Sequence, residues 1–205
     1  MPPKPKFTKE EIVAAALELV SKNGIESLTA RELSQYLGSS ARPIFTVFNS
    51  MEEVAQAVRE AAMDKYEEFV SKALDYFPEF KKYGMQMIAF SKQEPKLFQL
   101  LFMTENNSAK SFEDVFPILG KTAKTCIEII ERDYKLEPDM AMLLFEHAWI
   151  HSFGICVMCA MGTCRFTDDE ISEMLSDNFM GMMMLTKSDI SNQPAITPHR
   201  KIEEK

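Results

Sequence analysis

Residues 29–48 read TARELSQYLGSSARPIFTVF, and their spacing predicts two short helices joined by a tight turn. Thr29 with Glu32 three residues on is a capping-box pattern, in which hydroxyl and carboxylate satisfy orphan backbone donors and start a helix. Leu33 and Leu37 lie four apart on one face, and Gly38 can take the positive φ that ends the helix. Ser39 or Ser40 then caps a second helix of about two turns, in which Ile44, Val47 and Phe48 fall at i, i+3 and i+4 and share an inward face. Two helices joined this way form a helix-turn-helix, whose second member can enter the major groove of DNA.

Working outward, Thr8 with Glu11 is a second capping box. It opens a helix with an Ile12, Ala15, Ala16, Leu19 stripe that ends at Asn23-Gly24, and Ile25 and Leu28 fill the gap beneath the two motif helices. Met1–Phe7 is a Pro/Lys-rich arm without packing of its own. Downstream, Ser50 with Glu53 starts a long helix expected to reach about Phe77, on the order of 40 Å and long enough to connect two bodies. Further helices are expected over Glu79–Gln93, from Pro95 to about Met103, from beyond Pro117 to about Tyr134, from Pro138 to Met161, and from the capping box of Thr167 and Glu170 to Thr186.

Composition agrees with an all-α fold: the 205 residues include 7 glycines, many Met, Leu, Ala, Glu and Lys, and no sustained β-branched alternation. The formal charge of −8 does not announce nucleic acid, but it is unevenly divided, residues 1–50 carrying six Lys/Arg against five acids. No signal peptide is evident and no apolar run approaches a bilayer-spanning length, so the expected place is the cytoplasm, with no membrane partner and four reduced cysteines.

The last two helices carry more apolar surface than one core contact requires. Leu143, Leu144, Trp149, Phe153 and Met158 alternate with Ala148, Ser152, Gly154 and Ala160, and the final helix adds Met174, Met180 and Met183 beside an Ile171, Leu175, Phe179, Met182 face. The surplus points to a four-helix interface with a second copy of the chain. Cys156 and Cys159 form a CxxC spacing, Cys164 follows, and His147 and His151 lie at i and i+4. A thiol- or metal-responsive sensor or enzyme would use that cluster. A CxxC inside a helix, without a second CxxC or a βαβ context, reads instead as packing, and no metal or cofactor is assigned.

The order Leu28-Thr29-Ala30-Arg31-Glu32-Leu33, Leu37-Gly38, Ile44-Phe45, Phe48, Ser50 and Glu52-Glu53, after the Thr8 helix and Asn23-Gly24, resembles the N-terminal domain of TetR-family transcriptional regulators over residues 8 to about 58. More weakly, Glu146–Asn178 resembles one ligand-binding class of that family. Where members commonly carry Tyr, His and Lys, this chain has Phe45, Val47 and Met51, which removes three phosphate contacts. The apolar Ile44-Phe45-Thr46-Val47-Phe48 run also leaves a regulator that has lost DNA binding as an alternative.

The resemblance implies a homodimeric repressor of a double-stranded DNA operator, released by a small effector. Residues 1–50 form the arm and DNA-binding head, 51–187 the ligand-binding and dimerisation domain, and 188–205 a disordered tail. The candidate DNA-contacting residues are Lys6, Thr29, Arg31, Ser39, Ser40, Ala41, Arg42, Pro43, Phe45 and Thr46. Arg42 is the base-reading candidate, because it is the one group there able to grip a guanine edge bidentately. The aromatic and Met-rich middle helices offer Phe90, Phe98, Leu101, Phe102, Met103, Phe116, Phe145 and Trp149 as an apolar pocket for a hydrophobic effector, coupled to the head through the long Ser50–Phe77 helix.

Overall fold

The computed structural model describes residues 6–75 and 77–187, all-α with no strand among them. The expected tail 188–205 and the start of the arm lie outside the described residues. The α-helices are α1 (Lys9–Asn23), α2 (Ala30–Tyr36), α3 (Met51–Ser71), α4 (Glu79–Gln93), α5 (Pro95–Phe102), α6 (Phe112–Val115), α7 (Lys121–Tyr134), α8 (Pro138–Ala160) and α9 (Asp168–Lys187).

Most starts are set by the predicted caps. Thr8 Oγ1 accepts from the Glu11 amide at 3.2 Å while the Thr8 amide donates to Glu11 Oε2 at 2.8 Å. Thr167 and Glu170 repeat this reciprocal pair at α9. Thr29 accepts from the Glu32 amide at 3.1 Å and Ser50 from that of Glu53 at 3.3 Å, but the Glu53 carboxylate turns back to the Asn49 amide instead.

The expected second motif helix is not an α-helix. Between Ser39 and Asn49 the one helical piece is a 3-10 turn, Ile44–Thr46, built from amide bonds of Ile44 to Ala41 O (3.1 Å), Thr46 to Pro43 O (3.3 Å) and Val47 to Ile44 O (3.1 Å). The local chemistry accounts for this. Pro43 has no N–H and its ring disfavours the α conformation at Arg42, while Ile44, Thr46 and Val47 are β-branched and poor helix formers. The Thr46 hydroxyl donates to Pro43 O at 2.6 Å, tying the short turn off. The inward face survives: Ile44 and Phe48 are buried and Val47 half-buried. The long helix is also shorter than expected, passing at Lys72 into a 3-10 turn that ends at Asp75.

One hydrophobic cluster runs through the whole body, from Ile12, Leu33 and Phe48 in the head, along Val54, Val58 and Tyr66 of α3, to Phe145 and Ile171. Specific bonds pin α3 to its neighbours. Arg59 Nη1 donates to Leu100 O at 2.6 Å. The Glu67 carboxylate accepts from the Thr122 amide and hydroxyl, capping the start of α7. Gly120, just before it, has φ +90°, and a Cβ there would overlap that carboxylate. Gly120→Ala should therefore lower unfolding free energy by about 1–3 kcal/mol, the cost of an L residue in a nearly Gly-only conformation, and more if the cap is displaced. Urea unfolding with an unchanged midpoint would contradict it.

Correcting the sequence expectation on apolar runs, α8 is long and apolar enough to cross a membrane by length and composition. In the fold one side of it, including Leu144, Phe145, Ala148 and Ile155, is buried, and the helix packs against α4, α7 and α9.

Candidate DNA-binding head and ligand cavity

In the head, the turn after α2 presents its polar and cationic groups to solvent. Arg42, Ser40 and Thr46 are exposed, as is Phe45 at 46% of its surface, while Ser39, Ala41 and Pro43 are half-buried. Lys6 reaches from the arm to Ser39, its Nζ donating to Ser39 Oγ at 3.0 Å, which brings a cation of the arm to the motif turn. Arg31 is exposed on α2, and Thr29 is exposed with its hydroxyl already engaged as a cap. Neither Arg31 nor Arg42 has a side-chain partner among the described residues. Tyr36 donates to Glu18, accepts from Lys22 Nζ at 3.2 Å, and so ties α2 to α1.

The aromatic residues of the middle helices pack mainly on one another. Phe90 is buried against Tyr66 (5.2 Å between ring centres) and Phe69 (5.5 Å), and Phe98 and Leu101 are buried on α5. Half-buried Phe102 bridges Tyr66 (4.9 Å) and Trp149 (6.4 Å), Phe116 leans on Phe145 (6.0 Å), and Met103 is exposed. An apolar cavity of about 180 Å³ opens elsewhere, between α4, α8, α9 and the end of α7. Of the candidate residues, Phe145 and Trp149 line it; Phe90, Phe98, Leu101, Phe102, Met103 and Phe116 are not among its walls.

The opposite walls come from Leu175 and Phe179 on α9, which the sequence places on the apolar face of the last helix, and from residues that sequence reasoning passed over: Phe80, Lys81 and Met87 on α4. Their one local trace is Gly84, a glycine inside a helix. A Cβ at Gly84 would sit 3.1 Å from Leu175 Cδ1 and 3.6 Å from Ser152 Oγ, so the missing side chain lets α8 and α9 close over α4.

Residues 12–58 match the family model described as bacterial regulatory proteins, tetR family. Those residues form a TetR-type N-terminal head. That match covers the TetR head; for the remainder, similarity to solved structures shows the fold. One is a proposed TetR-family transcriptional regulator from Vibrio parahaemolyticus, 16% identical with a TM-score of 0.58, covering 84% of this chain and 96% of that one. Another, from Mesorhizobium loti MAFF303099 and likewise proposed to be a TetR-family transcriptional regulator, is 16% identical with a TM-score of 0.56 over 86% and 95%. No curated protein matches the chain.

The cysteine and histidine cluster of the C-terminal helices is dispersed. Cys156 is buried, Cys159 and Cys164 half-buried, and among the described residues no group of three or more His, Cys, Asp or Glu could hold a metal ion. Burial pushes the Cys126, Cys156 and Cys159 thiols up, away from the reactive thiolate. His147 is exposed. His151 is half-buried, its Nε2 lacking a partner among the described residues.

Burial also raises the Tyr66 and Tyr83 hydroxyls, which face each other at 3.2 Å. These four groups, Tyr66, Tyr83, Cys126 and Cys156, hold their protons when folded and release them when unfolded. Stability should therefore be full below the ordinary thiol value of 9.0 and decline as pH rises above it, more steeply past the tyrosine value of 10.0. Equal urea midpoints at pH 8 and pH 10.5 would contradict this.

Proposed function

We propose that the protein is a homodimeric repressor that holds an operator with its two heads and releases it when a small hydrophobic or aromatic effector enters the cavity. The observation that carries the DNA role is the exposed turn of the TetR head, with Arg42 unpartnered and Lys6 brought beside it. Phosphate contacts from Lys6, Arg31, Ser39 and Ser40 would position the head; Arg42 would read a base edge, with Ala41, Pro43, Phe45 and Thr46 against the groove. A cytoplasmic location follows from a DNA partner.

Dimerisation is supported by the outer face of the α8–α9 hairpin. Leu143, His147, Ile150, Gly154 and Met158 form an exposed row on α8 that continues to Met161 just past its end, Ile150 at 50% of its surface. Met180 and Met184, 65% exposed, lie on α9, and a Cβ at Gly154 or Gly181 would meet nothing within 4 Å, leaving room for a second copy to approach closely. Contiguous apolar area of this kind marks an interface.

Coupling has a physical route beside α3. Helix α4 carries one cavity wall, and at its far end Glu94 accepts from Ser21 of α1 at 2.6 Å and pairs with Lys65 of α3 at 2.5 Å. An effector shifts the equilibrium only as far as it prefers the non-DNA arrangement, and α4 gives that preference a lever on the head.

A second reading is favoured by one observation: the recognition element is a single 3-10 turn, which suits a regulator that no longer binds DNA. Selecting duplexes from a random pool with purified protein separates the two. The repressor reading expects enrichment of inverted half-sites about one helical turn apart; a pool that stays random over successive rounds would overturn it.

A further inference from the structure

We propose that the cavity takes an apolar ligand bearing a single acidic group, which pairs with Lys81. This rests on the effector-binding reading above and specifies the chemistry of that same site. The walls are apolar, from Phe80 and Met87 on α4 across to Phe145 and Trp149 on α8 and Phe179 on α9, and they include no Asp or Glu. Lys81 supplies the one ammonium among them.

The state of that ammonium decides the ligand's chemistry. Lys81 is half-buried, and its Nζ donates to Ser176 Oγ at 2.8 Å. Ser176 donates in turn to Ser172 O at 2.9 Å, so its hydroxyl offers Lys81 a lone pair and no charge. An ammonium has three donors, and here one is engaged, with no carboxylate in ion-pair range among the described residues. The nearby carboxylate of Glu79, two residues earlier on α4, is committed to Arg132 at 3.1 Å. The other ionisable groups of the cavity are Tyr83 and Tyr134, whose hydroxyls burial holds in the neutral form. The site therefore carries an uncompensated positive charge beside a hydrophobic hollow. A charge partly removed from water gains most from a paired counter-charge.

Size sets the apolar part. A dry cavity of about 150 Å³ accommodates benzene, so about 180 Å³ takes one ring with a short chain. The fitting class is a monocyclic aromatic or short branched aliphatic carboxylate, its ring beside Phe145 and Trp149 and its carboxylate on Lys81 and Ser176.

The test uses 3-phenylpropanoate and its neutral isostere 3-phenylpropanamide, titrated into the full-length protein with the emission of Trp149, the sole tryptophan, as readout. The acid should bind the unmodified protein about tenfold or more tightly than the amide, as expected for a hydrogen bond to a charged group. Lys81→Met should erase that preference, and Lys81→Arg should retain it. Equal binding of acid and amide, or a preference that persists in Lys81→Met, overturns the acidic-ligand assignment and leaves the effector reading intact. Silence of both compounds, together with silence of a broad panel of neutral apolar ligands, removes the effector reading as well.

Discussion

Ile150→Glu is expected to convert the protein into monomers and to lower its affinity for a two-half-site operator by about 10²–10⁴-fold, the gain that linking two heads provides. Ile150 lies in the middle of the exposed α8 row, half of its surface in water. In an isologous interface the substitution appears twice, once from each subunit, so two carboxylates enter one apolar patch. Each would lose hydration without a counter-charge, a cost larger than the methyl contacts removed. Folding should be spared, because the side chain is not part of the buried cluster. Sedimentation should show wild type at the dimer mass and Ile150→Glu at half of it at micromolar concentration. A wild-type monomer, or a variant that stays dimeric, would remove the interface and the paired-head arrangement with it.

Arg42→Ala is expected to cost about 1–3 kcal/mol of operator affinity and to relax specificity at one position per half-site. The side chain is exposed on the motif turn without a partner among the described residues, whereas Ile44 and Phe48 are committed to the core and Phe45 and Thr46 carry no charge. A guanidinium can bond both acceptors of a guanine edge, which none of its neighbours can do. If Arg42 instead touches only phosphate, the variant would weaken all sequences alike and flatten the salt dependence. Binding to a panel of single-base operator variants distinguishes these outcomes, and uniform weakening would reject base reading.

What was legible in the sequence was local chemistry. Capping pairs such as Thr8 with Glu11 and Thr167 with Glu170 act within four residues, and they mark the starts of α1 and α9 where expected. The inward stripe of α1 is equally local in period. The motif's second helix failed because hydrophobic spacing was given more weight than Pro43 and three β-branched residues, all visible in the same stretch.

The cavity was harder for a different reason. Its walls come from helices far apart in sequence, such as Phe80 and Phe179, whose rings lie 5.5 Å apart, and no periodicity within one helix encodes that meeting. The cluster of Phe90, Phe98 and Phe102 is more conspicuous by composition but fills itself, ring against ring. Lys81 stood out even less, since a lysine on a helix is ordinarily a solvated one; only the placement of Ser176 beside it and the absence of an acid give it meaning.

The repressor reading requires that filling the apolar cavity release the motif turn from DNA. Its most direct test is a single titration, in which an apolar ligand identified by Trp149 emission is added to the protein bound to a labelled duplex selected from the random pool. Fluorescence anisotropy of the duplex should fall over the same ligand range in which Trp149 emission changes, reporting release as the cavity fills. A ligand that saturates the Trp149 signal while the duplex stays bound would contradict it.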